Sequence, residues 1–252
     1  MAEHTNAKPL LRDLAVYMIT SVRFLLLKGK PALFLKNSIS FFRWRVFRVS
    51  AKTTIDYQIP WMSFAAIDYL KTWFRNEMVV FEYGSGGSSL FIAQRVQQLY
   101  SIDHDEAWYD KVQQLITEKN IANIEYALCK PVPAVADAKK DCGHPSNYLS
   151  CMGEFKNLDF EAYVRSIDKF PNESFDLVIV DGRARPSCIQ HAIPKIKKGG
   201  ALLLDNADRG YYLQPFAELN DTNVWSRKTF IGHYPYSPAS VMSTTILFTK
   251  KG

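Results

Sequence analysis

Residues 79–94, "VVFEYGSGGSSLFIAQ", decide how the rest of the chain is read. An apolar run carrying one acid, Glu82, leads straight into three glycines interleaved with three serines. Gly84 and Gly86 can take backbone dihedrals closed to other residues, and without a Cβ they let another group touch the main chain. Ser88 and Ser89 open the next helix, whose first N–H groups favour a polar or anionic partner. Gly84, Ser85, Gly86 and Ser88 are therefore candidate ligand-facing residues at the tip of a buried strand.

Outward from this turn the pattern alternates between strand and helix. Met78–Tyr83 reads as a buried strand, Ser88–Gln98 as a helix, Tyr100–Asp103 as a strand, Glu106–Lys119 as a helix and Ile124–Cys129 as a strand. An irregular stretch, Lys130–Asn157, follows. Beyond it come a helix (Asp159–Lys169), a strand (Phe175–Asp181), a helix (Ser187–Lys197), a strand (Ala201–Asp205) and a last pair, Val224–Phe230 and Val241–Thr249. Such alternation predicts an α/β fold, a doubly wound, mostly parallel sheet with helices on both faces.

The chain has 252 residues, 47% of them hydrophobic, enough for one large domain plus an extension. Its net charge of +6 is unevenly spread: residues 1–52 hold ten Lys/Arg against Glu3 and Asp13, a charge of +8, leaving −2 on the other 200 residues. A mildly acidic body argues against a nucleic-acid partner. Residues 1–58 read as a basic amphipathic helical extension and 59–252 as the main domain. Within the extension, Leu14–Leu27 is broken by Arg23 and falls short of the ~20 residues that span a bilayer. It also lacks a small-residue cleavage site. Two short helices separated near Gly29–Pro31 are expected, packed as a cap on the main domain. Aromatics beside Arg43, Arg45 and Arg48 give residues 1–52 an alternative role in peripheral membrane contact. The cysteines, Cys129, Cys142, Cys151 and Cys188, lack paired zinc spacing and read as reduced thiols of a cytoplasmic protein.

Seventeen residues after Gly86, Asp103 ends the second strand, placed to accept hydrogen bonds from the ribose hydroxyls of a nucleoside. The dinucleotide fingerprint G-x-G-x-x-G is incomplete, because its third position is Ser89. Glu82, an acid inside an apolar strand end, is costly without a cationic or donor-rich partner.

On these residues the chain resembles the class I S-adenosylmethionine-dependent methyltransferases, whose first motif E-x-G-x-G-x-[ST] matches "EYGSGGS" at 82–88. The resemblance runs from about Val79 to Thr249 through "SIDHD" (101–105), "FDLVIVDG" (175–182) and "KKGGALLLDN" (197–206). It implies a seven-stranded, Rossmann-like sheet of order 3-2-1-4-5-7-6, with S-adenosylmethionine as cofactor. It also implies that Glu82 meets the methionine ammonium and Asp103 the ribose. "ALCKP" (127–131) departs from the family after the third strand, which leaves His104 and Cys129 as candidates for the adenine.

Asp181 ends the fourth strand and Asp205 the fifth, so neighbouring parallel strands would bring both to one rim, with Asn206 next to them. The same spacing is similar to the cation site of catechol- and caffeoyl-CoA-type O-methyltransferases, and hard oxygen ligands suit a divalent metal. Metal-free transfer is the favoured expectation, with Asp181 acting on substrate. Arg183, Arg185 and Arg209 follow the same strand ends and point to an anionic or hydroxyl-rich small-molecule substrate. In "IGHYPYSPAS" (231–240), His233 has the pKa of a hydroxyl-proton acceptor, and Tyr234 and Tyr236 stand beside it. The expected activity is O-methylation of a small or sugar-like hydroxyl. The alternatives are an NAD-dependent oxidoreductase, a non-catalytic nucleoside-binding scaffold, and nucleic-acid N-methylation, for which "DGRA" (181–184) lacks the N/D-P-P-Y/F motif.

Overall fold

The computed structural model describes residues 10–27, 29–50, 52–134, 141–156, 158–235 and 242–252. Seven strands form one sheet: β1 (Val79–Tyr83), β2 (Gln98–Asp103), β3 (Ile124–Leu128), β4 (Phe175–Val180), β5 (Ile196–Leu204), β6 (Trp225–His233) and β7 (Met242–Lys250). Their order is β3-β2-β1-β4-β5-β7-β6, and β7 runs antiparallel to both of its neighbours. This is the doubly wound sheet, and the strand order, that the sequence predicts.

Alternation along each central strand divides the core into two layers. Phe81 and Tyr83 of β1, Val178 and Val180 of β4, and Leu202 and Leu204 of β5 face one layer. That layer is covered by α7 (Glu161–Arg165) and α8 (Arg185–Ala192). Val80, Leu177, Ile179, Ala201 and Leu203 face the other, against α4 (Phe64–Trp73) and α5 (Gly87–Ala93). Both sides of these strands are buried, which is why they read as unbroken apolar runs rather than alternating ones. A further helix, α6 (Glu106–Glu118), joins β2 to β3 and is capped by Asp105, which accepts from the Trp108 N–H at 3.0 Å.

The N-terminal segment forms three helices rather than two: α1 (Leu10–Ser21), extended by a π-helical turn over Val22–Leu26, α2 (Pro31–Ser38) and α3 (Phe41–Val49). Pro31 starts α2 as expected. The turn at Ile39–Ser40 that separates α2 from α3 contains neither Gly nor Pro, so nothing in the sequence announces it. These helices share the second core layer, to which α1 contributes Tyr17 and α3 contributes Phe41, Trp44 and Phe47. They also cover the edge strand β6, where Asn37 donates to the Ile231 carbonyl at 3.3 Å. An uncovered strand edge invites unwanted pairing.

One face of α3 packs on the main domain, as the cap reading of the extension expects. Phe41, Trp44 and Phe47 are buried, Arg43 pairs with Asp68 at 2.7 Å, and Arg48 and Arg45 pair with Asp13 at 2.8 and 3.5 Å. Leu11, Ile19, Leu27, Leu35, Ile39 and Phe42 remain exposed on this helical layer. Among the described residues no helix is long and apolar enough to cross a membrane.

Asp13 has no exposed side-chain area, and removing one partner of a buried ion pair strands the other charge. Asp13→Ala should therefore lower stability by roughly 3 kcal/mol in urea unfolding. A loss below about 1 kcal/mol, the range of surface pairs, would mean that packing alone holds the helical layer in place.

Candidate functional site

The tips of β1, β2, β4, β5 and β6 open into one cavity of about 810 Å³, inside the range of small-molecule sites. Much of the bare backbone after β1 is approached by the protein itself. A Cβ on Gly84, which has φ +89°, would lie 2.7 Å from the Gly182 main chain, so the tips of β1 and β4 touch backbone to backbone. A Cβ on Gly87 would meet the carbonyl oxygens of Thr54 and Ile59. Trp108 closes over Gly86, and its indole Nε1 donates to the Ser85 carbonyl at 2.8 Å. The turn still presents Gly84, Ser85, Gly86, Gly87 and Ser88 to the cavity. Since α5 has only seven residues, the backbone of the turn matters more than a helix terminus.

Glu82 does not line the cavity, which corrects the expectation that it meets a ligand ammonium. It is fully buried beneath the turn, where its Oε2 accepts from Ser89 Oγ at 2.6 Å and Ser101 Oγ at 2.7 Å. Ser89 Oγ in turn accepts from the Gly86 N–H at 3.1 Å. Hydroxyl donors in place of a cation leave the charged form poorly compensated. Burial raises the Glu82 pKa to about 7, and the serine hydrogen bonds oppose it only in part.

Asp103, at the tip of β2, is held as a carboxylate. Its Oδ2 accepts from the Ser85 N–H at 2.8 Å and Ser85 Oγ at 2.6 Å, and its Oδ1 accepts from the N–H groups of His104 (2.7 Å) and Asp105 (3.0 Å). Burial alone would raise its pKa, but the donors from His104, Asp105 and Ser85 outweigh it and leave the pKa lowered. His104 lies 3.2 Å from Asp103 through Nδ1, while its Nε2 is buried without a hydrogen-bond partner. Cys129, the other adenine candidate, packs against the core instead of lining the cavity.

At the opposite end, Asp181 and Asp205 share the floor between β4 and β5. Asp205 Oδ1 accepts from Thr245 Oγ1 and its Oδ2 from Asn206 Nδ2, both at 2.6 Å. Burial first, and then the charge of Asp181, push its pKa to about 7. Asp181 is raised by burial against the pull of Arg185, Arg183 and Arg209. Asn206 has φ 48°, a left-handed conformation that Asn tolerates better than most residues, so its identity has a backbone reason beside any ligand.

Arg185 lines the cavity together with Arg183 and Arg209, but most of its donors are taken by the fold instead of being left for a substrate. It is buried, and donates to the main-chain carbonyls of Gly182 (3.0 Å), Asp181 (2.7 Å) and Asp205 and to the Asp181 carboxylate (3.0 Å). Arg183 and Arg209 do line the cavity, as does Tyr234, whose ring meets that of Trp61 edge-on at 6.0 Å. Tyr236 lies outside the described residues.

His233 is corrected too. It sits fully buried at the end of β6, stacked on Tyr17 at 3.7 Å and bonded through Nε2 to Ser21 Oγ at 2.8 Å. Burial lowers its pKa to about 3. The N-terminal helices, and not the cavity, claim this side chain. The four-thiol reading also fails: Cys142 and Cys151 form a disulfide, with Cα atoms 5.6 Å apart, while Cys129 and Cys188 are free. The loop thus closed leads to Phe155, which lines the cavity and meets His104 edge-on at 4.5 Å. Trp61, Trp108 and Phe155 escaped sequence reasoning, because single aromatics outside a motif read as core.

No family model matches the chain, and no curated protein matches it in sequence. Solved structures are similar to it at low sequence identity. An rRNA methylase from Streptococcus thermophilus is 15% identical over 73% of this chain and 93% of its own, with a TM-score of 0.49. A tRNA (m1A58) methyltransferase from Aquifex aeolicus is 12% identical over 75% and 68%, with a TM-score of 0.47. An O-methyltransferase from Bacillus cereus is 13% identical over 69% and 74%, with a TM-score of 0.49. Proteins named for rRNA and tRNA are among these similar structures. The expectation of a small-molecule substrate with nucleic acid excluded is withdrawn, since a mildly acidic body does not exclude such a partner.

The raised pKa of Glu82 sets a sign for the dependence of stability on pH. Its protonated form is the one the native state favours, so its contribution is complete below the unfolded pKa of about 4.3 and is lost as pH rises through about 7. Neutral, buried His233 acts the other way, losing its contribution as pH falls below about 6.5, so the useful readout is a difference between variants. Glu82→Gln keeps an acceptor for the serines without titrating. Its stability relative to wild type should rise by about 2–3 kcal/mol between pH 5 and pH 9 in urea unfolding. A difference independent of pH would mean that Glu82 stays charged in the fold.

Proposed function

We propose that the protein transfers a methyl group from S-adenosylmethionine to a hydroxyl oxygen of its acceptor. The observation that carries this reading is a single cavity joining the glycine turn and Asp103 at one end to the Asp181–Asp205 carboxyl pair at the other. The motif resemblance at 82–88, 101–105, 175–182 and 197–206 supports the same cofactor. We further propose that residues 59–252 carry the activity and that 1–58 form a layer completing their core.

The cavity residues fit the cofactor. The main chain at Gly84–Gly87 offers close approach, Asp103 is a fixed carboxylate for a ribose, and His104 Nε2 is a buried polar atom awaiting a partner. A ribose hydroxyl approaching Asp103 would displace Ser85 Oγ, which keeps a second partner in Tyr126 Oη at 2.5 Å. When bound, the cofactor supplies a methyl group on a sulfonium, open to in-line displacement. The chain's task is then to hold the acceptor oxygen in line and to take its proton. Asp205, with a pKa of about 7 and Asp181 beside it, is the group at the cavity floor suited to that proton near neutral pH. The pair shares its protons, so the base is the pair and not either residue alone.

The same residues do not fit a resident divalent cation. Asp205 already accepts from Thr245 and Asn206, and Asp181 is paired with Arg185.

Calorimetry with S-adenosylhomocysteine and with NAD tests the cofactor: the first should bind in the micromolar range and the second far more weakly, and the reverse order would favour an oxidoreductase. For turnover, kcat/KM should rise with pH through about 7 as the carboxyl pair ionises, and Asp205→Asn should remove that rise. Treatment with EDTA should leave the rate unchanged. A rate lost to EDTA and restored by Mg²⁺ would require a cation site that these side chains do not present.

A further inference from the structure

Three arginines reach the rim between β4 and β5, and the structure divides their work. Arg185 is consumed by carbonyl groups and Asp181. Arg183 is not. Its Nε is buried without a hydrogen-bond partner, and its guanidinium lies over the Phe155 ring, 5.2 Å from the centroid. A buried N–H left without an acceptor is costly, and such groups are scarce in folded proteins unless a ligand or water completes them. Arg209 spends one N–H on Tyr212 Oη at 2.9 Å and keeps the rest of its fork at the cavity wall. Both guanidiniums line the same cavity as the Asp181–Asp205 carboxyl pair.

The nearby acids do not consume these charges. Asp181 is ion-paired with Arg185, and Asp205 is neutralised in part by its raised pKa. The sheet order puts both arginines at the β4–β5 end of the cavity, away from the Gly86, Asp103 and Trp108 end. Beyond them, Trp61 and Tyr234 make an aromatic wall. Planar forks beside aromatic rings match a carboxylate or phosphate attached to a body that can lie flat.

We propose that the acceptor presents an oxyanion, carboxylate or phosphate, close to the hydroxyl that is methylated, and that Arg183 and Arg209 bind it. This rests on the methyltransferase reading for the word acceptor, but the anion site itself does not. A phosphate can come from a small ester or from a nucleic-acid backbone, and the test separates these sources.

The full chain is titrated calorimetrically with 4-hydroxybenzoate, glycerol 3-phosphate and a short single-stranded RNA, each with and without S-adenosylhomocysteine. The neutral 4-hydroxybenzamide and glycerol serve as controls. At least one anionic probe should bind more tightly than its neutral control, and Arg183→Gln and Arg209→Gln should each weaken it about tenfold or more. Arg183→Lys, which keeps the charge and loses the fork, should fall between, and it serves if the glutamine variant does not fold. Affinity for S-adenosylhomocysteine should be unchanged in all three variants. Anions binding no better than neutral controls, or equally well to wild type and variants, would overturn the proposal. Failure of S-adenosylhomocysteine alone would remove the cofactor reading and leave the titrations without it to decide the anion site. Whichever probe is preferred identifies the source of the oxyanion.

Discussion

Arg185 fixes the place where the site can form. A guanidinium has five N–H donors in a rigid fork and cannot shed its charge, so burying it demands a full set of acceptors. The tips of β4 and β5 meet four of the five with the Asp181, Gly182 and Asp205 carbonyls and the Asp181 carboxylate. Parallel strands end in outward-facing carbonyls without sheet partners, and here one cation gathers them from two neighbouring strands. The Tyr212 ring, 5.3 Å from the guanidinium, closes the other side. Asp181 and Asp205 are thereby held at a common floor, close enough for each to alter the proton affinity of the other.

A second constraint acts one strand over. The Gly182 main chain leaves no room for a side chain at Gly84, the Tyr163 hydroxyl leaves none at Gly182, and Gly87 is pressed by the 54–59 segment that leads from the N-terminal helices. The helical layer at the N-terminus is thus connected to the cavity in two ways. It delivers Thr54 and Trp61 to the rim, and it takes His233 away from it. Phe155 arrives on the loop tied by the Cys142–Cys151 disulfide.

The central strands were legible in the sequence because they are buried on both faces and show it as apolar runs, whereas their order was implied by the methyltransferase resemblance. Asp103, the glycine turn and the Asp181–Asp205 rim were legible for a related reason: strand ends are recognisable, and in a parallel sheet all strand ends of one sense share a rim. Orientation was not legible. Glu82 and Ser85 are three residues apart, yet one points beneath the turn and the other into the cavity, a difference set by serines on α5 and β2 that no spacing reveals. Arg183 and Arg185 look equivalent as "RAR", but only the second begins α8 and turns inward. His233 looked catalytic because its loop belongs to the rim, and it was claimed by Tyr17 and Ser21, more than 200 positions earlier. Contacts between distant segments decide such cases.

The proposed cofactor, a nucleoside sulfonium, would enter a preformed cavity fixed by Arg185 and the glycine contacts, between the tips of β1, β2 and β4. A crystal structure of the full chain with S-adenosylhomocysteine tests it most directly. Ligand density is expected against Gly84–Gly87 and Asp103, with Ser85 Oγ turned to Tyr126 and Arg185 unmoved on its carbonyls. Density elsewhere, or Arg185 released from the strand tips to reach the ligand, would contradict it.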